Sequence, residues 1–96
     1  MAAYAELVDL VQDPTFRRRI LYAGWSVAVD ILNDGASTAG QKSLARSFLK
    51  GSGDNDQITR LAIRCVSNPT IAAAGKAALD SDIRFVVAGT FVELVN

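Results

Sequence analysis

The residues in this 96-residue chain that could do chemistry are mainly cations, and they fall into three groups. Arg17-Arg18-Arg19 sit inside the stretch "DPTFRRRILYAGW". Lys42, Arg46 and Lys50 recur at i, i+4, i+8, and Arg60 and Arg64 repeat that spacing. On a helix, successive residues point about 100° apart, so the three consecutive arginines fan out and cannot make one phosphate-binding stripe. They also fall near a helix N-terminus, where the macrodipole disfavours positive charge by roughly 0.3–1 kcal/mol. A compensating acid is therefore expected, from Asp13, Glu6 or Asp9 or from a neighbouring subunit. Alternatively, the long stems cover the core edge while the heads reach water. The i, i+4 rows do each share a face. If those faces adjoin, five positive charges meet a phosphate backbone or an acidic protein; otherwise they form an ordinary solvated surface.

Other chemistry is scarce. The chain has no histidine and one cysteine. That removes Ser-His and Cys-His catalysis, most zinc sites and any internal disulfide. Cys65 falls on an apolar helical face and reads as inert core. Asp54, Asp56, Asp80 and Asp82 all stand at expected helix starts, where capping accounts for them without a metal. Gly75-Lys76 lacks the other residues of a phosphate-binding loop. No catalytic residues, metal or cofactor are assigned, and no small-molecule substrate is expected.

The elements that must position these residues are helical. Half the chain is hydrophobic and 21% is charged, as in a globular protein. The length suits one domain, 1–96. Ten basic and ten acidic residues cancel, and the isoelectric point is about 6.1. A free-standing nucleic-acid binder usually exceeds about 9, so DNA or RNA is disfavoured as the main partner. "MAAYAELVDL" lacks the basic start of a signal peptide. The apolar runs are broken by Lys76, Arg84 and Glu93, short of the roughly 20 residues that span a bilayer.

The spacing predicts an all-α, compact bundle of five to six short helices. The first runs from Ala3 to Val11. Asp13 and Pro14 cap and open the second, which continues to Asn33 and stops at Asp34-Gly35. Its polar strip is Arg19, Ser26, Asp30 and Asn33, while Phe16, Ile20, Leu21, Val27, Ala28, Ile31 and Leu32 form a broad apolar arc. Tyr22, Trp25 and Val29 extend that arc. Thr38 and Gln41 make a capping box for a third helix, Ala39 to Lys50, which Gly51-Ser52-Gly53 terminates. Asp54 or Asp56 caps a fourth, ending near Ser67. Asn68-Pro69 opens a fifth, reaching about Leu79.

Asp80-Ser81-Asp82 starts the last segment. Its helical spacing puts Ile83, Val87, Phe91, Leu94 and Val95 on one face and Phe85, Ala88 and Val92 on the opposite one. Its β-branched and aromatic content leaves two strands around Ala88-Gly89 as the alternative, although a lone hairpin would have no sheet to join. As a helix it has two apolar faces. Small monomers rarely expose large contiguous apolar patches, so its second face should be buried by another subunit.

"YAELVDLVQDPTFRRRILYAGWSVAVDIL", a threonine- and alanine-containing loop, "QKSLARSFLKGSGDNDQITRLAIRCVSNPTI" and the apolar last segment together resemble small helical proteins of tailed-phage and prophage genomes. Those proteins commonly open with the sequence found here at Tyr4-Ala5-Glu6-Leu7. The resemblance covers most of the chain, in pattern more than in identity. This sequence departs from it at Arg17-Arg18-Arg19 and at Gly51-Ser52-Gly53. The resemblance implies a non-enzymatic virion structural part of the head or head–tail region, resident in the host cytoplasm before assembly. Its implied partners are copies of itself and other virion proteins, through homo-oligomeric and capsid or neck contacts, with no membrane.

The residues expected to make such contacts are Trp25, Phe85 and Val92 for apolar contact, and Arg17, Arg18, Lys42 and Arg46 for charged contact. The alternative is a small DNA-binding regulator in which residues Ala39 to Ser67 form a helix-turn-helix, with Arg60 and Arg64 on the recognition helix. Its "KGSGDND" turn is long for that motif.

Overall fold

The computed structural model describes residues 4–51 and 54–94. They form α1 (Tyr4–Gln12), α2 (Pro14–Asn33), α3 (Ala39–Lys50), α4 (Asn55–Ser67), α5 (Pro69–Ala74), a 3-10 turn (Gly75–Ala77) and α6 (Asp80–Leu94). No strand occurs among the described residues, so the last segment is a helix and not a hairpin. The expected start at Ala3, the Ser52-Gly53 part of the turn and Val95 lie outside the described residues. So do the side chains of Tyr4 and Leu94.

Local chemistry sets most of the boundaries. Asp13 Oδ1 accepts hydrogen bonds from the Thr15 and Phe16 amides at 2.9 and 3.0 Å, and Pro14 follows at the first helical position. Thr38 Oγ1 accepts from the Gln41 amide at 3.1 Å while Gln41 Oε1 accepts from the Thr38 amide at 2.9 Å. Of the two acids able to open α4, Asp54 is the cap, accepting from the Gln57 amide at 2.9 Å. Asn68 Oδ1 caps α5 through the Thr70 amide at 2.9 Å. Each cap satisfies amides that have no partner within the helix and stabilises it by about 1 kcal/mol.

One boundary differs from expectation. The fifth helix stops at Ala74, five residues before Leu79. Gly75 takes a positive φ of 57°, open to glycine at little cost, and the chain tightens into the 3-10 turn. Ala78 is then buried, and Leu79 stands 65% exposed.

α2 is central and packs against α3, α6, α4 and α1. Its Phe16, Ile20, Ala23, Val27 and Ala28 are buried, and Leu21, Ile31 and Leu32 pack on the same core half-buried. Gly24 lies where α2 meets α3: a Cβ there would sit 2.3 Å from Phe48 Cζ, so only glycine admits the ring. Phe48 in turn meets Phe91 of α6 edge-on, with centroids 5.5 Å apart. Ile71, Ile83 and Val87 are also fully buried. Burial of a side chain of this size stabilises the fold by roughly 1.5–3 kcal/mol.

Candidate functional site

α6 has two apolar sides, and the fold buries one of them. Ile83, Val87 and Phe91 are buried in the core, while on the opposite side Phe85 is 79% and Val92 43% exposed. Ala88, one turn from each, is half-buried between them. Phe85, Ala88 and Val92 form a ridge with a groove on either side. The first groove, about 470 Å³, separates α6 from α2 and is walled by Val27, Asp30, Ile31 and Asp34. The second, about 560 Å³, separates it from the α4–α5 corner, where Arg64, Ser67, Asn68 and Pro69 stand. Ion pairs edge both sides: Arg84 with Asp30 on the α2 side, and Arg64 with Glu93 at 3.0 Å on the α4 side.

Trp25 is not part of this ridge. It is half-buried and packs against the core, its ring 5.6 Å from that of Tyr22 and tilted by 46°. Tyr22 and Val29 on the same side are 55% and 45% exposed. Arg18, one turn before Tyr22, is exposed without an ion-pair partner among the described residues. The described α2 therefore presents a second, smaller apolar row headed by a cation. The ion-paired strip of Arg19 and Asp30 runs between the two rows.

Arg17 is used inside the chain. Its Nη1 donates to the Val11 carbonyl at 3.1 Å, and its Nη2 donates to Asn55 O, Asn55 Oδ1 and Thr59 Oγ1 at 3.2, 2.6 and 2.9 Å. One guanidinium thus ties together α1, α2 and α4. The carbonyl it takes lies in the last turn of α1, the negative end of that helix.

Arg19 Nε pairs with Asp80 Oδ1 at 2.6 Å, and its other nitrogens donate to the carbonyls of Lys76 and Ala78. The acid for Arg19 comes from α6, and Asp13, one of the three acids expected within the chain, does not supply it. Asp13 instead pairs with Lys76 Nζ at 2.8 Å. That Lys76 hydrogen bond, then the amide of Phe16, holds the Asp13 carboxyl below its ordinary value of 3.8. The same pair raises the Lys76 ammonium above its ordinary 10.5.

The basic rows do not merge. Arg60 and Arg64 look across a groove of about 280 Å³ at Leu44 and Phe48 of α3. At 100° per residue, Lys42, Arg46 and Lys50 lie on the far side of α3 from those two residues. Arg46 and Lys50 are exposed and Lys42 half-buried. The five-charge patch that adjoining faces would have made is absent, because α3 turns its apolar side, not its basic side, toward α4. Moreover, α3 packs on α2 and α6 and meets α4 only marginally.

Burial alone pushes the Cys65 thiol up to about 12, so it is neither exposed nor ionised near neutral pH. Among the described residues no three Cys, His, Asp or Glu side chains converge on a point where a metal would sit. No described helix is long and apolar enough to cross a membrane.

Two features escaped the sequence reading. Arg84 and Asp34 flank the α6 ridge, and Val8 and Ile63 line an apolar groove between α1 and α4. Ile63, 49% exposed, interrupts an otherwise polar face, which was the available signal; Val8, 37% exposed, only widens the apolar side of Leu7 and Val11. No protein-family model matches this chain, and no curated protein or solved structure is significantly similar to it.

Proposed function

We propose that this chain is a non-enzymatic structural part that works through protein–protein contacts, and that its setting is the head or head–tail region of a tailed-phage virion. The observation that carries the contact role is the outer side of α6. A phenylalanine 79% exposed and a valine 43% exposed stand in register, on a helix whose other side is core. Leaving that much apolar surface in water forgoes roughly 25 cal/mol per Å², and small monomers rarely retain a contiguous patch of this kind. The exposed row of Tyr22 and Val29 beside Trp25 adds a second surface of the same character. The phage setting rests on the resemblance in sequence pattern that opens at Tyr4-Ala5-Glu6-Leu7. Copies of the chain and other virion proteins are the partners in this reading.

The test is direct. Resident prophages are induced in cells that encode the chain, particles are banded on a density gradient, and the bands are digested for peptide mass spectrometry. The chain should co-band with the capsid proteins in fixed, multi-copy stoichiometry. A chain confined to the soluble fraction would overturn the virion reading.

The DNA-binding alternative keeps less support. It needs α3 and α4 packed as a pair, and it needs Arg60 and Arg64 free, whereas Arg64 is tied to Glu93. Salt-dependent retention on DNA would revive it, since phosphate contacts give a steep salt slope.

A further inference from the structure

The α6 ridge is suited to a particular occupant. We propose that it pairs with the same ridge on a second copy, the two α6 helices running antiparallel about a two-fold axis that passes beside Ala88 and Gly89. This rests on the contact reading above and adds the face through which copies meet, the symmetry and the charges that set the register.

Ser81, Phe85, Ala88, Gly89 and Val92 fall within an arc of about 100° at helical spacing. The bulk lies toward the ends, at Phe85 and Val92, and the small residues lie between them. A Cβ built on Gly89 meets nothing within 4 Å, so there is open space beside the ridge at its middle. Antiparallel pairing about the middle sets Phe85 of each copy against Val92 and Gly89 of the other, bulk into space. Parallel pairing sets Phe85 against Phe85 and leaves the middle empty. It also aligns two helix macrodipoles side by side, whereas antiparallel helices oppose them favourably.

α2 runs beside α6 in the same direction. Arg19 pairs with Asp80 at the start of α6, Asp30 pairs with Arg84, and Asp34 lines the same groove as Val92 near the end. A two-fold axis across α6 lays the α2 side of one copy on the α2 side of the other, reversed end for end. Arg84 of each copy therefore approaches Asp34 of the other. Asp34 is exposed and has no ion-pair partner among the described residues. Its Oδ1 accepts from the Ala36 amide at 2.9 Å, which leaves Oδ2 free to accept from an arginine. Two such contacts form, one on each side of the axis, as isologous symmetry requires. On the opposite side Arg64 and Glu93 already neutralise one another, so the approach of an identical face meets no net repulsion there.

Sedimentation of the whole chain tests this at concentrations up to roughly millimolar, where even weak pairs populate. The wild type should sediment at twice its 10.2 kDa. Phe85→Asp should sediment as a monomer with unchanged far-ultraviolet circular dichroism, since the side chain lies outside the core. Arg84→Glu and Asp34→Arg should each weaken self-association by about tenfold or more, because each homodimer would hold two like-charge contacts. An equimolar mixture of those two variants should recover the wild-type affinity, since both cross-axis contacts are then of opposite sign. Loss of a contact within one chain would not recover on mixing.

A monomeric wild type, a dimer indifferent to Phe85→Asp, or no recovery on mixing would each overturn the pairing. A monomer that still co-bands with particles would overturn the pairing alone. A dimer absent from particles would uphold the pairing and overturn the virion reading.

Discussion

The Arg17 corner and the Phe85 ridge both begin as anomalies of sequence, and the fold treats them in opposite ways. Arg17 opens a run of three cations at a helix N-terminus, where positive charge is disfavoured. Phe85 is a large apolar residue on the second apolar face of one helix. The fold surrounds Arg17 with four oxygen acceptors from α1 and α4. It leaves Phe85 79% exposed, between two grooves. A polar anomaly can be satisfied within a small domain because a guanidinium has five donors in a fixed fork and needs only a few oxygens within reach. An apolar anomaly needs area, and α6 has already spent its inner face on the core. The charged group therefore became part of the scaffold, and the apolar group became the candidate surface.

Four measurements break or sharpen that contrast. The largest effect is expected on the inner side of α6. Ile83→Ala should cost about 2–5 kcal/mol in denaturant unfolding, because it removes a fully buried side chain and leaves a cavity. Next is Arg17→Ala, which should cost about 2 kcal/mol by unbinding α4 from the α1–α2 corner. A loss near zero would make Arg17 a solvated charge after all and would free it for a partner.

Acidification should have a smaller effect at the neighbouring Asp13–Lys76 pair. Asp13 is shifted down in the folded state, so its contribution is present above its ordinary 3.8 and is lost as pH falls through the lower folded value. Lys76 is shifted up, so its contribution is lost only as pH rises through a value above 10.5. Thermal melts at stepped pH should show the acid loss in the wild type and lack it in Asp13→Asn. Phe85→Ser should move folding stability least, by about 0.5 kcal/mol or less, as for surface positions generally. A loss comparable to that of Ile83→Ala would mean that Phe85 belongs to the core, and the contrast would fail.

Much of the scaffold was legible because it is local. Asp13-Pro14, Thr38 with Gln41, Asp54 and Asn68-Pro69 open their helices through bonds that span two or three residues. The two apolar faces of the last segment follow from periodicity once it is taken as a helix, and that sets Phe85 and Val92 apart. The end of the fifth helix was less legible. Gly75 was visible in the sequence, but an isolated glycine inside a helical pattern is tolerated at about 1 kcal/mol and does not by itself mark an end. Here Arg19 takes the carbonyls of Lys76 and Ala78, and Lys76 reaches Asp13, which hold the turn in place.

By itself, then, the sequence determined a mainly helical chain, where most of its helices begin, and that its last segment, if helical, would have more apolar surface than one core contact hides; the fold decided that segment for helix. Only the tertiary structure decided that Arg17 would be held by Asn55 and Thr59, that Asp80 and not Asp13 would answer Arg19, and that Gly24 must stay bare for Phe48. It also decided that the basic rows of α3 and α4 would face apart. Caps and periodicity are set by neighbours a few residues away, whereas these outcomes join residues 24 to 61 positions apart. They depend on how whole helices rotate about their axes to pack, a freedom that local patterns leave open.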